Sequence, residues 1–138
     1  MIAGTATLRD IPLFAASSDR SLEIIASIAR ETAYPAGVDL VREGDTGDSL
    51  IVIRSGSATV RQAGHELPPL GPGDFLGEIA LIDGGTRTAT VTAVEPIEAL
   101  VIGKDGFARL MEEFPVIRYD LISALTRRLR ARGVAPTD

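Results

Sequence analysis

Between residues 32 and 103 the chain is broken by turn chemistry about every 8–12 residues. The breaks read YPAG at 34–37, GDTGD at 44–48, SG at 55–56, AGH at 63–65, GPGD at 71–74 and DGGT at 83–86. Gly supplies positive φ, Pro presets φ, and Asp and Ser bind nearby backbone, so each stretch has its own reason to turn. Helices of ordinary length do not fit between such breaks, but short strands do. Roughly eight strands in under 75 residues predict a mainly β architecture, a jelly-roll-like β-roll over about 32–103. Leu50-Ile51-Val52-Ile53 is an unbroken apolar run and is expected to be buried on both faces. Ala89, Val91 and Ala93 alternate with Thr88, Thr90 and Thr92, the period of a half-buried strand.

The flanks follow a different period. Residues 8–31 read as a helical lead-in, with Ser17, Ser18 and Asp19 offering N-cap oxygens and Leu22, Ile25 and Ala29 on one face. Pro12 sets LRDI apart as a short turn. After the β region, Lys104–Glu113 reads as one helix, and Pro115 suits the first turn of another. Ile117, Leu121, Leu125 and Leu129 form an apolar stripe, and Gly133 and Pro136 end the helix near 132. The expectation is one domain over residues 1–138, with helices flanking the roll.

Composition narrows the function. A chain of 138 residues buries roughly 68–70% of its unfolded surface, enough for a core without staples. It has no cysteine, which removes disulfides, thiolate metal sites and cysteine nucleophiles. The net charge of −5 argues against a coat for nucleic acid. No long apolar run and no charged-then-apolar N-terminus suggests a membrane span or signal peptide, so a cytoplasmic location is expected. The one histidine, His65, falls in an expected hairpin turn. It cannot by itself build a metal centre or a Ser/His/Asp site. Glu43, Asp45 and Asp48 lack EF-hand spacing and are read as turn acids. No catalytic residue, metal or cofactor is therefore assigned.

One loop carries chemistry. In GEIALIDGGTRTAT, residues 77–90, Glu78 precedes Arg87 by nine positions across a glycine-bearing loop. Arg87 offers a planar fork for phosphate oxygens. Glu78 cannot favour a phosphate but accepts hydrogen bonds from a sugar hydroxyl. Gly77 permits close approach, and the N–H groups of a following helical turn suit an anion. Together they fit a sugar phosphate. The competing reading is a surface Glu78–Arg87 ion pair.

FLGEIALIDGGTRTATV resembles the phosphate-binding cassette of cyclic nucleotide-binding domains, such as those of catabolite activator proteins and protein kinase A regulatory subunits. REGDTGDSLIVIRSGSATV resembles the family's upstream hairpin, FARLMEEFPVIRYDLISALTRRL its later helices, and LRDIPLF its N-terminal segment. The resemblance spans about residues 8–132 and implies an eight-stranded β-roll flanked by helices. It implies that Glu78 accepts the ribose 2′-hydroxyl and that Arg87 pairs with the cyclic phosphate of cAMP or cGMP. Backbone N–H groups near Ala80 and from Thr88 or Ala89 would complete the cradle, with Leu76, Gly77 and Ile79 shaping it. Leu76 stands where the family usually has Phe or Tyr. Thr88 resembles the hydroxyl of cGMP-dependent kinases but occurs also in cyclic nucleotide-gated channels, so it permits cGMP without choosing it.

Near the C-terminus, Arg128, Leu129 and Arg132 are candidates for capping the base. TRRLRAR also reads as a basic last turn complementing a helix dipole, or as a dock for an acidic partner. No helix-turn-helix follows, so direct DNA binding is not expected. The expectation is a stand-alone, non-catalytic cyclic nucleotide receptor that signals to a protein partner through its C-terminal helix. The alternative is a nucleotide-independent interaction or scaffold protein that keeps the β-roll.

Overall fold

Strand β3, Ser49–Ser55, shows how the layers form. Leu50 and Val52 pack into one apolar cluster, and Ile51 and Ile53 into another. All four side chains are buried, because β3 lies in a sheet covered on both faces. A computed structural model describes residues 18–77, 86–116, 118, 119, 122 and 123.

The remaining strands among these residues are β1 (Ala29–Tyr34), β2 (Asp39–Val41), β4 (Ala58–Gln62), β5 (His65–Leu70), β6 (Phe75–Leu76), β7 (Thr90–Ala93) and β8 (Ile97–Gly103). They form two four-stranded antiparallel sheets, ordered β1-β8-β3-β6 and β2-β7-β4-β5. The mainly β roll with flanking helices is therefore present.

Helix α1, Asp19–Ile28, and helix α2, Lys104–Glu113, cover the outer face of the first sheet. Leu22 and Ile25 from α1, and Phe107 and Leu110 from α2, join Leu50, Val52, Leu100 and Ile102 there. Between the sheets lies a second core of Ile51, Ile53, Ala58, Val60, Leu76, Val91, Ala93, Ile97 and Ala99. Full burial of each large aliphatic side chain contributes roughly 1.5–3 kcal/mol, so both interfaces hold the fold.

The N-cap of α1 is Ser18, whose hydroxyl accepts from the Ser21 N–H at 3.2 Å. The helix ends earlier than its apolar face suggests. Ala29 is buried in the helical cluster as expected, yet its backbone is extended and it opens β1. Residues 29–31, read from sequence as helix, instead pair with Leu100–Ile102 of β8. A ladder of inter-strand hydrogen bonds outweighs local helix preference. The lead-in before residue 18 lies outside the described residues.

In β7 the alternation holds, with Val91 and Ala93 buried and Thr90 and Thr92 half-buried. His65 is not in the turn itself. The turn is Ala63-Gly64, and His65 opens β5 opposite Gln62. α2 has the boundaries expected from sequence. Phe114 breaks the helical backbone, and helix resumes at Pro115. Arg118 spans the break, its guanidinium donating to the Met111 carbonyl at 2.9 Å. The stripe residues Ile117, Leu121, Leu125 and Leu129, and the stop at Gly133 and Pro136, lie outside the described residues.

Candidate functional site

Arg87 precedes β7, and its side chain is only 6% exposed. Among the described residues it is the buried charged group. Its guanidinium donates through Nη1 to the Ser49 carbonyl at 3.0 Å and through Nη2 to Ser49 Oγ at 3.2 Å. Nη2 also lies 3.8 Å from the Asp48 carboxylate, which is 84% exposed. Burial pulls the guanidinium pKa down from its ordinary value, opposed by Asp48 and then Tyr34. Tyr34, at the end of β1, is half-buried. Burial raises its phenol pKa, while Arg87 and then Arg30 lower it.

The backbone of Arg87 is held as firmly as its side chain. Its N–H donates to the Asp45 carbonyl at 2.7 Å, and its carbonyl accepts from the Gly44 N–H at 2.9 Å. Thr46 and Thr86 form a β-bridge beside these bonds. The glycine- and Asp-rich β2–β3 loop thus runs antiparallel to the segment carrying Arg87.

Gly77 follows β6 with φ +92°. A Cβ there would lie 2.5 Å from the Ser49 carbonyl oxygen and closer still to Arg87 Nη1. The position requires glycine twice, for its backbone and for the space the guanidinium fills. Gly77, Arg87 and Ser49 therefore meet at one point.

Among the described residues, this buried cation is met by a neutral carbonyl, a hydroxyl and one solvent-washed carboxylate. A dianionic or monoanionic oxygen group within reach of the fork would offset its charge. The donor set, a planar guanidinium with a neutral carbonyl and a hydroxyl beside it, has the chemistry that suits an oxyanion.

The structure brings Leu76, Gly77, Arg87, Thr88 and Ala89 into the described residues. Leu76 is buried in the inter-sheet core, Thr88 is exposed, and Ala89 is partly buried against that core. Glu78, Ile79 and Ala80 lie outside the described residues, as do the candidate base-capping residues Arg128, Leu129 and Arg132. The Glu78–Arg87 ion pair is outside them too.

Ser49 was not singled out from sequence, because its main contribution is a backbone carbonyl, which any residue carries. Asp48 was read as a turn acid. Its place in GDTGD, immediately before an apolar strand, was the available signal. No group of three or more potential metal ligands occurs among the described residues. Nor is any described helix long and apolar enough to cross a membrane.

Two apolar cores, two four-stranded antiparallel sheets and flanking helices define the β-roll of a cyclic nucleotide-binding domain. The chain belongs to the cyclic nucleotide-binding domain family, which matches residues 31–114, more than half of its length. It is 31% identical over 128 residues to the cyclic AMP receptor protein of Thermus thermophilus, covering 89% of this chain and 59% of that one. It is 37% identical over 112 residues to isozyme 1 of the cGMP-dependent protein kinase of Drosophila melanogaster, covering 75% of this chain and 15% of the kinase. The crystal structure of the Thermus thermophilus catabolite activator protein matches with a TM-score of 0.77 at 31% identity, covering 87% of this chain and 59% of that one. The chain thus spans less than two thirds of the length of these relatives.

Proposed function

We propose that this chain is a receptor module for a 3′,5′-cyclic nucleotide and is itself non-catalytic. The observation that carries this reading is Arg87, a buried guanidinium beside a glycine that no other residue can replace without displacing it. In this reading Arg87 pairs with the cyclic phosphate and Glu78 accepts the ribose 2′-hydroxyl. Backbone N–H groups near Ala80 and at Thr88 or Ala89 complete the phosphate cradle, with Leu76, Gly77 and Ile79 shaping it. Similarity to a cyclic AMP receptor and to a cGMP-dependent kinase supports both nucleotides as candidates. Exposed Thr88 leaves a hydroxyl available to the base.

The signal passes to the C-terminal helix and from there to a protein partner. One register supports this. Ser49, which holds Arg87, pairs across the sheet with Gly103, the N-cap residue of α2. A ligand that reorders the Arg87–Ser49 contact acts on the strand pair from which α2 starts. It moves the helix only by as much as it favours one helix position over another.

Calorimetric titration with cAMP and with cGMP tests the reading. Wild-type protein should bind at least one in the micromolar range or tighter. Arg87→Ala should lose roughly 2–5 kcal/mol of that affinity by leaving a desolvated phosphate unpaired. Arg87→Lys should recover only part of it, since an ammonium is a point charge and not a fork. The chain has no tryptophan, so Tyr119→Trp gives a single reporter on the exposed C-terminal segment. Its emission should change on nucleotide addition and stay constant in the Arg87→Ala background. Absence of binding by folded, ligand-free protein would favour a scaffold that keeps the roll without the ligand.

A further inference from the structure

The β2–β3 loop that clasps Arg87 is itself anchored by Glu43. The Glu43 N–H donates to Thr90 Oγ1 at 2.9 Å. Its carboxylate accepts the Ala63 N–H through both oxygens, at 3.0 and 3.3 Å. The next two residues make the backbone bonds to Arg87, from Gly44 N–H and to Asp45 carbonyl. One residue therefore joins three segments, its backbone N–H reaching the start of β7 and its carboxylate the β4–β5 turn, while it sits in the clasping loop itself.

The turn it holds is unusual. Ala63 has φ +51° and Gly64 φ +81°, so both central residues are left-handed, the pattern of a type I′ hairpin. That turn favours Asn, Asp or Gly at its first central position. Ala63 is the non-glycine residue with positive φ among those described. It has no side-chain acceptor of its own, and the N–H at this position is outside the strand ladder. The Glu43 carboxylate from a distant loop supplies the acceptor. In exchange, the β2–β3 loop gains a side-chain anchor on the β4–β5 turn of the second sheet, beside its backbone bonds to the Arg87 segment.

We propose that Glu43 is a positioning residue for the nucleotide site. It acts through the Gly44 and Asp45 backbone to fix where Arg87 stands. The proposal rests on the receptor reading for its affinity consequence, but not for its structural one.

Four full-length proteins test it: wild type, Glu43→Ala, Glu43→Gln, and the double variant Glu43→Ala with Ala63→Gly. One readout is amide hydrogen exchange at the Arg87 N–H without nucleotide. The other is calorimetric affinity for cAMP and cGMP. In Glu43→Ala, exchange at Arg87 should rise about three- to tenfold and affinity should fall by a similar factor, the loss of one exposed hydrogen bond to a charged acceptor. Glu43→Gln should restore most of both, since its amide oxygen still accepts from Ala63.

Ala63→Gly removes the left-handed strain, so the double variant should melt near wild type while its affinity and Arg87 protection stay low. Wild-type Arg87 exchange in Glu43→Ala would overturn the proposal. So would full recovery of affinity and protection in the double variant, because Glu43 would then serve the turn alone. If wild-type protein bound neither nucleotide, the receptor reading would fall, and the exchange measurement would still decide whether Glu43 positions Arg87.

Discussion

Gly77 and Arg87 compete for one small volume, and the guanidinium occupies it. Gly77→Ala must move Nη1 off the Ser49 carbonyl or shift the backbone of β3, and it also places a Cβ at φ +92°. The expected outcome is a loss of roughly 1–3 kcal/mol in stability from backbone strain, together with weaker nucleotide binding. Chemical denaturation and calorimetry on the same sample measure the two. Unchanged affinity in a folded Gly77→Ala protein would mean that the Arg87–Ser49 contact does not matter to the ligand. At this scale the sequence was informative about side chains that are rare in their setting. Arg87 stood out because it follows Glu78 by nine positions across a glycine-bearing loop, a pairing that suits a sugar phosphate. Ser49 did not stand out, because the atom that holds Arg87 is mainly a backbone oxygen. Glu43 was visible only as one of several turn acids, since nothing local ties it to Ala63, twenty residues away.

Elements were legible wherever a periodic pattern met a strong stop. α2 ends where expected because Phe114 precedes Pro115, which disfavours helical backbone at the residue before it. The C-terminal edge of α1 had no such stop. Its apolar face continues through Ala29, and only pairing with β8 reveals that the chain has already become a strand. The β3–β4 turn shows the opposite case, in which a glycine marks both a turn and a close approach. Gly56 has φ +90°, and a Cβ there would press on the Pro96 carbonyl and on Ile97. Gly56→Ala should therefore destabilise by roughly 1–3 kcal/mol, through backbone strain and overpacking. Gly37→Ala, at φ +88° with nothing within 4 Å, isolates the backbone contribution and should cost less. Equal shifts in denaturation midpoint for the two variants would remove the packing component at Gly56.

At the scale of the whole molecule, the proposed function assigns one core to the ligand and the other to the output. The inter-sheet core abuts the Arg87 site through Leu76 and Ala89, and the outer core carries α1 and α2. β3 belongs to both, with alternate side chains in each, so in the proposed reading a change at Ser49 has a route to the helical side that crosses no loop. This layering was legible in the unbroken run Leu50–Ile53, since only a strand covered on both faces needs four consecutive apolar residues. Which residues each face meets was not legible, because it depends on strand order. Ligand binding should accordingly stabilise the fold as a unit. At free nucleotide one hundred times the dissociation constant, the gain is about 2.7 kcal/mol. For a domain of this length that corresponds to a rise of roughly 8–12 °C in melting temperature. Scanning calorimetry should show both helices and sheets melting in one transition that moves by this amount with the preferred nucleotide. Arg87→Ala, with its affinity lowered by the amount expected above, should rise by no more than about 3 °C at that nucleotide concentration. A rise confined to part of the transition would mean that the two layers unfold separately, and that a ligand held at the roll cannot reach α2 through β3.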